Sequence, residues 1–274
     1  MGRQIKRIAF QNLQHQTALE QDGYFAEPFL TPDALSACLD VYKNSKQPGG
    51  GLKYNTLEIN SYSHRKQVAQ QLNEILEPYV KPYLEDYKFI GFNFAIKEGF
   101  GPAFPPHIDD IHVDESKYTA VNIWVPLVDV TEKNGGLYIV PRSHKLPADI
   151  RGIGLPFQYQ EHDELIQSRK NALPLSAGDG LFFNGSLIHG SPNNQTPLER
   201  PAIIMSLIPK EAQPIVYMSY DTLDSNEAEK FHGPEEFYWK IEIGKRPEGF
   251  ESLGMYKQSL IPLSESEFVR TLDS

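Results

Sequence analysis

One cysteine, Cys38, stands among 274 residues, which excludes a disulfide framework and any cysteine-based zinc or iron–sulfur site. Cys38 falls on the apolar stripe of an expected helix and reads as core. Basic charge is also scarce. The 26 Lys and Arg against 36 Asp and Glu give a formal net charge of −10, and no Lys/Arg cluster supplies the footprint a nucleic-acid groove needs. No run of about 18 apolar residues is present, so no membrane-spanning helix is expected. The segment Met1-Gly2-Arg3-Gln4-Ile5-Lys6-Arg7 lacks an apolar stretch behind its basic residues, which argues against a secretory signal. Lys6 also stands where a myristoylation pattern needs Ser or Thr. These absences lead to the expectation of a cytoplasmic protein acting on a small molecule, with neither nucleic acid nor membrane as partner. They set no oligomeric state. Internal repeats and low-complexity tracts are missing as well.

What is present is globular: 40% hydrophobic and 23% charged residues. The expected organisation is a single domain over residues 1–274, with N-terminal helical support (1–86), a core of about 87–220 and a C-terminal extension (221–274). Thr31-Pro32-Asp33 reads as a helix start, with Thr31 as N-cap and Pro32 in the first position. Ala34, Leu35, Cys38, Leu39 and Tyr42 form its apolar stripe. Pro48-Gly49-Gly50-Gly51 breaks the pattern and reads as a mobile loop. A second helix is expected from about Arg65 to Glu77, on the face of Val68, Leu72, Ile75 and Leu76, with Pro78 and Pro82 disturbing its end.

From Tyr87 the period changes from helical to alternating. Ile90, Phe92, Phe94 and Ile96 are expected on one face, with Asn93, Ala95 and Lys97 on the other. In a strand from Thr119 to Val128, Val121, Ile123, Val125 and Leu127 oppose Asn122 and Trp124. Short strands follow at Leu137–Val140, Leu181–Phe183, Ala202–Ile208 and Ile215–Met218. Early helices followed by many strands with Gly/Pro turns predict a mainly β sandwich or barrel with helices packed outside. Pattern alone leaves open whether the polar faces line a ligand-holding interior or meet solvent.

Two histidines have informative surroundings. In Pro106-His107-Ile108-Asp109 an extended chain would turn His107 and Asp109 to the same side, about 7 Å apart. A distant His189, in Ile188-His189-Gly190-Ser191, would complete the two-His, one-carboxylate face that leaves positions open on non-haem Fe(II). His112-Val113-Asp114 repeats the His-x-Asp spacing, and a lone pair of this kind is as readily a solvated loop.

The ordered set His107-Ile108-Asp109, Asp114-Glu115, Asn122-Ile123-Trp124, Asn134-Gly135-Gly136, Pro141-Arg142-Ser143-His144, Gly178-Asp179, His189-Gly190-Ser191 and Arg200, over residues 90 to 210, resembles the phytanoyl-CoA dioxygenase family. The resemblance implies a double-stranded β-helix (jelly-roll, cupin-like) core, Fe(II) as metal, and 2-oxoglutarate and O2 as co-substrates. It implies His107, Asp109 and His189 as iron ligands and favours His107 over His112. It also implies that Arg200, paired with Ser191, anchors the far carboxylate of 2-oxoglutarate; a guanidinium fork suits a carboxylate. Trp124, Asn122 and Lys97 are candidates for the co-substrate pocket, the last two as donors to its carboxylates, and Tyr138 for the cavity wall. Two positions depart from the family's pattern: Ile108 replaces a polar residue, and Arg142 replaces a glycine suited to positive φ. The carboxylate of Asp109 argues against halogenation.

The expected activity is hydroxylation of an unactivated C–H bond of a small organic or specialised-metabolism substrate, with release of succinate and CO2. Two alternatives stay open: a catalytically silent binding protein on the same fold, and a cupin-type metal enzyme that does not use 2-oxoglutarate. Pro48–Asn55 and Lys145–Lys170 are expected to cover the cavity mouth. The aromatic-rich stretch with Tyr217, Tyr220, Phe231, His232, Phe237, Tyr238 and Trp239 reads as a tunnel lining, as packing on the outside of the barrel or as an oligomer interface.

Overall fold

A computed structural model describes residues 7–46, 61–84, 86–259 and 262–274. The glycine-rich stretch Pro48–Gly51, the expected mouth segment Pro48–Asn55 and residues 1–6 lie outside them. In chain order the elements are α1 (Leu13–Gln21), β1 (Tyr24–Pro28), α2 (Pro32–Ser45), α3 (Tyr62–Val80), β2 (Tyr87–Lys97), β3 (Phe104–His107), β4 (Val121–Pro126), β5 (Tyr138–Ile139), α4 (Asp163–Arg169), β6 (Asn171–Ala172), β7 (Asp179–Asn184), β8 (His189–Ser191), β9 (Arg200–Pro209), β10 (Ile215–Met218), β11 (Glu227–His232), α5 (Glu235–Lys240), β12 (Ser252–Lys257) and α6 (Glu265–Asp273).

The helices follow their local signals. Thr31 Oγ1 accepts from Ala34 N at 3.4 Å and Pro32 opens α2, as an N-cap and a proline without a donor require. Cys38 is fully buried on the inner stripe, and burial pushes its thiol pKa up to about 12, so it is inert packing. α3 starts earlier than expected, at a Ser61 cap, and runs past Pro78 to Val80. A proline in the last turn forfeits a single backbone bond, and Lys81 N still reaches Glu77 O at 3.0 Å.

The strands form three antiparallel sheets. The largest has the order β1-β7-β4-β9-β2, and facing it is the sheet β3-β8-β5-β6. Val121, Ile123 and Val125 of β4 share the outer face of the large sheet with Phe182, Ile203, Met205 and Leu207, against Leu72 and Leu76 of α3 and Tyr42 of α2. The opposite face carries Trp124, Leu181, Phe183 and Ala202, which meet Leu137 and Ile139 from the smaller sheet. The polar and aromatic face of β4 therefore lines the interior between the sheets. This is a mainly β jelly roll, a double-stranded β-helix with helices on one side. Burying the outer face contributes about 25 cal/mol per Å² of apolar surface removed from water.

The face assignment of β2 needs a correction. Phe92, Phe94 and Ile96 pack with the helices, but Ile90 packs on the other side with Val113, Ala120 and Ile208. The pairing with β9 slips between Phe89 and Gly91, and a bulge residue reverses the alternation. Phe89 takes the helix-facing place instead.

The C-terminal residues build the third sheet, β10-β11-β12. Phe231 and Phe237 are buried with Val216, Met218 and Ile241 in a separate core, so these two aromatics are packing. Arg65 of α3 clamps α5 by donating to Trp239 O at 3.2 Å and Ile241 O at 3.0 Å. Residues 145–170 pack in two places: Leu146, Tyr159 and Ile166 meet Ile188 and, from α6, Phe268 and Leu272, whereas Ile150, Ile153 and Leu155 pack against the third sheet. Among the described residues no helix is long and apolar enough to cross a membrane.

Candidate metal centre

Two prolines, Pro105 and Pro106, keep the chain before His107 extended, and β3 pairs with β8 so that His107 lies directly opposite His189. The two rings are 4.1 Å apart at their centroids. Their Nδ1 atoms face backbone carbonyls two residues upstream, Pro105 O at 3.1 Å and Leu187 O at 3.0 Å. A proton on each Nδ1 fixes the tautomer and leaves both Nε2 lone pairs free. Those Nε2 atoms stand 3.7 and 3.6 Å from the same oxygen, Asp109 Oδ1. The other oxygen, Oδ2, accepts from Asn122 Nδ2 at 2.5 Å. One donor atom from each of His107, Asp109 and His189 lies within 4.8 Å of the others. This donor set fits a divalent metal held on one face, with open positions opposite.

The electrostatics agree with that fit. Burial first, then repulsion from His189, takes the His107 pKa down to about 4, so the ring is neutral and able to ligate at neutral pH. Burial alone would raise Asp109, but the facing imidazoles and the Asn122 amide outweigh it and hold the carboxylate below its usual range. Burial, reinforced by Asp109, pushes the next carboxyl, Asp110, up to about 7. His112 is not part of the cluster. It is buried with Nδ1 2.9 Å from Tyr238 Oη, and burial drives its pKa down to about 4.

Arg200 opens β9 and is buried at 5% exposure. Nη1 donates to Ala95 O at 3.3 Å, and the guanidinium lies 5.2 Å from the ring centre of Trp124. Its Nε has no hydrogen-bond partner among the described residues. Burial lowers its pKa to about 10, which leaves it cationic at neutral pH. A buried cation with a spare donor is costly unless an anion joins it, so this corner fits a carboxylate. Ser191, also buried, lies two residues past His189 on the same face of β8.

Lys97 and Tyr138 depart from the sequence expectation. Lys97 is buried and pairs with Arg200 across β2 and β9, but its ammonium donates to Pro102 O at 3.0 Å, Ser191 O at 3.3 Å and Pro192 O at 2.7 Å. Three carbonyls occupy its three protons, so Lys97 clamps two loops and is not a donor to a co-substrate. Asn122 gives one of its amide protons to Asp109 Oδ2, so it holds a candidate ligand. Tyr138 sits opposite Gly190, on the side of β8 away from His189, under Lys170. It does not line the cavity.

Other motif residues hold the metal segment. Ser143 Oγ accepts from Ile188 N at 2.7 Å, and Val140 N reaches Ile188 O at 2.8 Å, so the Pro141–His144 turn brackets the residue before His189. Arg142 takes φ +67° in that turn, the conformation a glycine adopts without cost. Arg142 Nε donates to Asp22 Oδ1 at 3.2 Å and its backbone N to Asp22 O at 2.9 Å, which offsets part of the strain. Arg151, which no local spacing marks, donates from Nε to Asp109 O at 2.6 Å.

Fold and cluster together define a jelly-roll protein whose two histidines and one carboxylate could hold a metal ion. A model of the phytanoyl-CoA dioxygenase (PhyH) family matches residues 18–202, more than half of the chain, and the chain belongs to that family. Dioxygenase cdmA of Talaromyces verruculosus is 26% identical over 201 residues, 71% of this chain and 62% of that protein. Phytanoyl-CoA dioxygenase 1 of Oryza sativa subsp. japonica is 30% identical over 116 residues, 41% of each chain. The chain thus spans less than two thirds of the length of these curated relatives. Among solved structures, the epimerase SnoN in complex with Fe3+, alpha ketoglutarate and nogalamycin RO superposes with a TM-score of 0.56 at 18% identity, covering 73% of this chain and 84% of that one. EctD from S. alaskensis with 2-oxoglutarate and 5-hydroxyectoine gives 0.54 at 17% identity, covering 78% and 85%. These two likenesses are likenesses of fold.

Proposed function

We propose that this chain is a non-haem Fe(II)- and 2-oxoglutarate-dependent oxygenase that hydroxylates an unactivated C–H bond of a small organic substrate. The observation that carries the reading is the convergence of His107 Nε2, His189 Nε2 and Asp109 Oδ1 beside a buried Arg200 whose Nε lacks a partner. Bound iron and 2-oxoglutarate would supply the oxidising power, with succinate and CO2 as co-products of the O2-dependent hydroxylation.

The protein's part is placement. His107, Asp109 and His189 hold the metal, and Asn122 fixes the carboxylate rotamer. Arg200 and Ser191 receive the distal carboxylate of the co-substrate, and Trp124 shields that ion pair from water, which strengthens it. The same reading takes residues 1–274 as one oxygenase domain working in the cytoplasm on a small molecule, with neither nucleic acid nor membrane as partner; the net charge of −10 supports this.

Arg200→Ala tests the co-substrate assignment. Removing one side of a buried charge pair costs about 2–5 kcal/mol, so 2-oxoglutarate affinity falls by about 30-fold or more while Fe(II) affinity persists. Unchanged 2-oxoglutarate binding would favour a cupin-type metal enzyme that does not use it.

A further inference from the structure

We infer that Arg151 is a positioning residue for the metal centre: it locks the main chain of Asp109 to the segment that delivers His189. The inference rests on the reading of His107, Asp109 and His189 as metal ligands. Asp109 lies just beyond the end of β3, in residues 108–120, which form no strand. No ladder therefore fixes its backbone. Its side chain is held at Oδ2 by Asn122. The main chain is held separately, by the guanidinium of Arg151 at Asp109 O, 2.6 Å away.

The same guanidinium reaches three other groups. Nη1 donates to Glu115 Oε2 at 2.9 Å and Nη2 to Glu115 Oε1 at 2.5 Å, a bidentate pair closing the far end of the metal-binding segment. Nη2 also donates to Ser186 Oγ at 3.0 Å and lies 3.4 Å from Gly185 O. Ser186 Oγ in turn donates to Glu115 Oε1 at 2.9 Å. Residues 185 and 186 belong to the connection between β7 and β8, and the next residue, Leu187, supplies the carbonyl that orients the His189 ring. Finally, Ile111 N donates to Arg151 O at 3.3 Å. One buried side chain thus ties Asp109 on one side and the approach to His189 on the other, and both ends of its ion pair are nearly closed to solvent, at 7% and 12% exposure.

A planar fork can make these contacts at once; an ammonium, as a point charge, cannot. The partners that orient metal ligands typically contribute 10- to 100-fold in metal affinity. Arg151 touches neither the distal-carboxylate corner at Arg200 nor the ligand atoms themselves, so its effect should fall on metal binding and leave co-substrate contacts alone.

The test uses the full chain and Co(II) as a spectroscopic metal probe, titrated without oxygen or substrate. Arg151→Lys is compared with Arg65→Lys, a second buried arginine, which clamps the end of α5 through Trp239 O and Ile241 O. Both variants lower the melting temperature. Arg151→Lys is expected to weaken Co(II) binding 10- to 100-fold and to change the visible ligand-field spectrum, whereas Arg65→Lys keeps the parent affinity and spectrum. Glu115→Gln retains the guanidinium but loses its anion, is expected to fall between them, and decides the question if Arg151→Lys does not fold. Parent-like affinity and spectrum in Arg151→Lys, or in Glu115→Gln where that variant decides, would overturn the inference. Equal losses in Arg65→Lys would overturn it too. Failure of the unmodified protein to bind Co(II) or Fe(II) would instead overturn the oxygenase reading itself.

Discussion

Gly190 stands between His189 and Ser191, and its lack of a side chain is a structural requirement. A Cβ there would lie 2.4 Å from Tyr138 Oη, 2.7 Å from Tyr138 Cζ and 2.9 Å from Phe104 O. The last of these is backbone and the first two belong to a packed ring, so neither can swing away cheaply. Gly190→Ala should therefore force β8 off β5 and β3. Overpacking of this kind costs about 1–3 kcal/mol. At roughly 2–4 °C per kcal/mol for a protein of this size, the melting temperature falls by about 2–12 °C. Because β8 carries His189, Fe(II) affinity falls with it. The assay is a thermal melt by circular dichroism beside an anaerobic Fe(II) titration. Tyr138→Phe added to Gly190→Ala removes the 2.4 Å contact and leaves the other two, so it recovers only part of the loss. The sign of the effect is the strongest check. Without the clash, replacing glycine by alanine in extended backbone stabilises a protein by about 0.4–1 kcal/mol through the unfolded chain. A Gly190→Ala variant that melts higher than the parent and keeps its metal affinity would refute the packing argument.

Two further predictions concern stability. Arg142→Gly relieves a left-handed residue worth about 1–2 kcal/mol and gives up a half-exposed ion pair with Asp22 worth about 0–1 kcal/mol; Arg142→Ala keeps the strain and loses the pair. The glycine variant should thus have the higher denaturant midpoint of the two, and the reverse order would show that the turn is not strained. On β11, Glu229 is held down to about 2 by the Arg246 guanidinium, against burial, with Ser252 and Tyr220 also lowering it. A carboxyl depressed on folding stabilises above its unfolded pKa of about 4.5 and loses that contribution as pH falls toward 2. The melting-temperature gap between parent and Glu229→Gln should be constant above about pH 5 and shrink below it; a gap that widens in acid would contradict the pairing.

The candidate site residues were legible because residue type and order survive in one dimension. His107, Asp109, His189 and Arg200 can be picked out from a pattern. The alternation of Val121 to Leu127 reported a strand with one apolar face, and Thr31-Pro32 reported a helix start. The errors came where a distant backbone decided the outcome. Lys97 reads as a free donor until Pro102, Ser191 and Pro192 present three carbonyls to it. Ile90 matches the alternation of β2, but a bulge, visible only in the pairing with β9, turns it to the other side. Tyr138 reads as a wall of the cavity until its register opposite Gly190 is known. Arg151 gave no signal at all, since its partners Asp109, Glu115 and Ser186 lie 35 to 42 residues away. Pro78 reads as a stop, yet a last-turn proline costs the helix too little to end it.

The most direct test of the central claim is an anaerobic titration of the purified apoprotein with Fe(II) and then 2-oxoglutarate, followed in visible light. The account predicts a weak charge-transfer band that grows to a stoichiometry of one, disappears in Asp109→Ala and is lost at ordinary 2-oxoglutarate concentrations in Arg200→Ala. Iron binding with no such band would contradict the co-substrate assignment and favour a metal protein of another kind, and no iron binding at all would contradict the ligand set His107, Asp109 and His189.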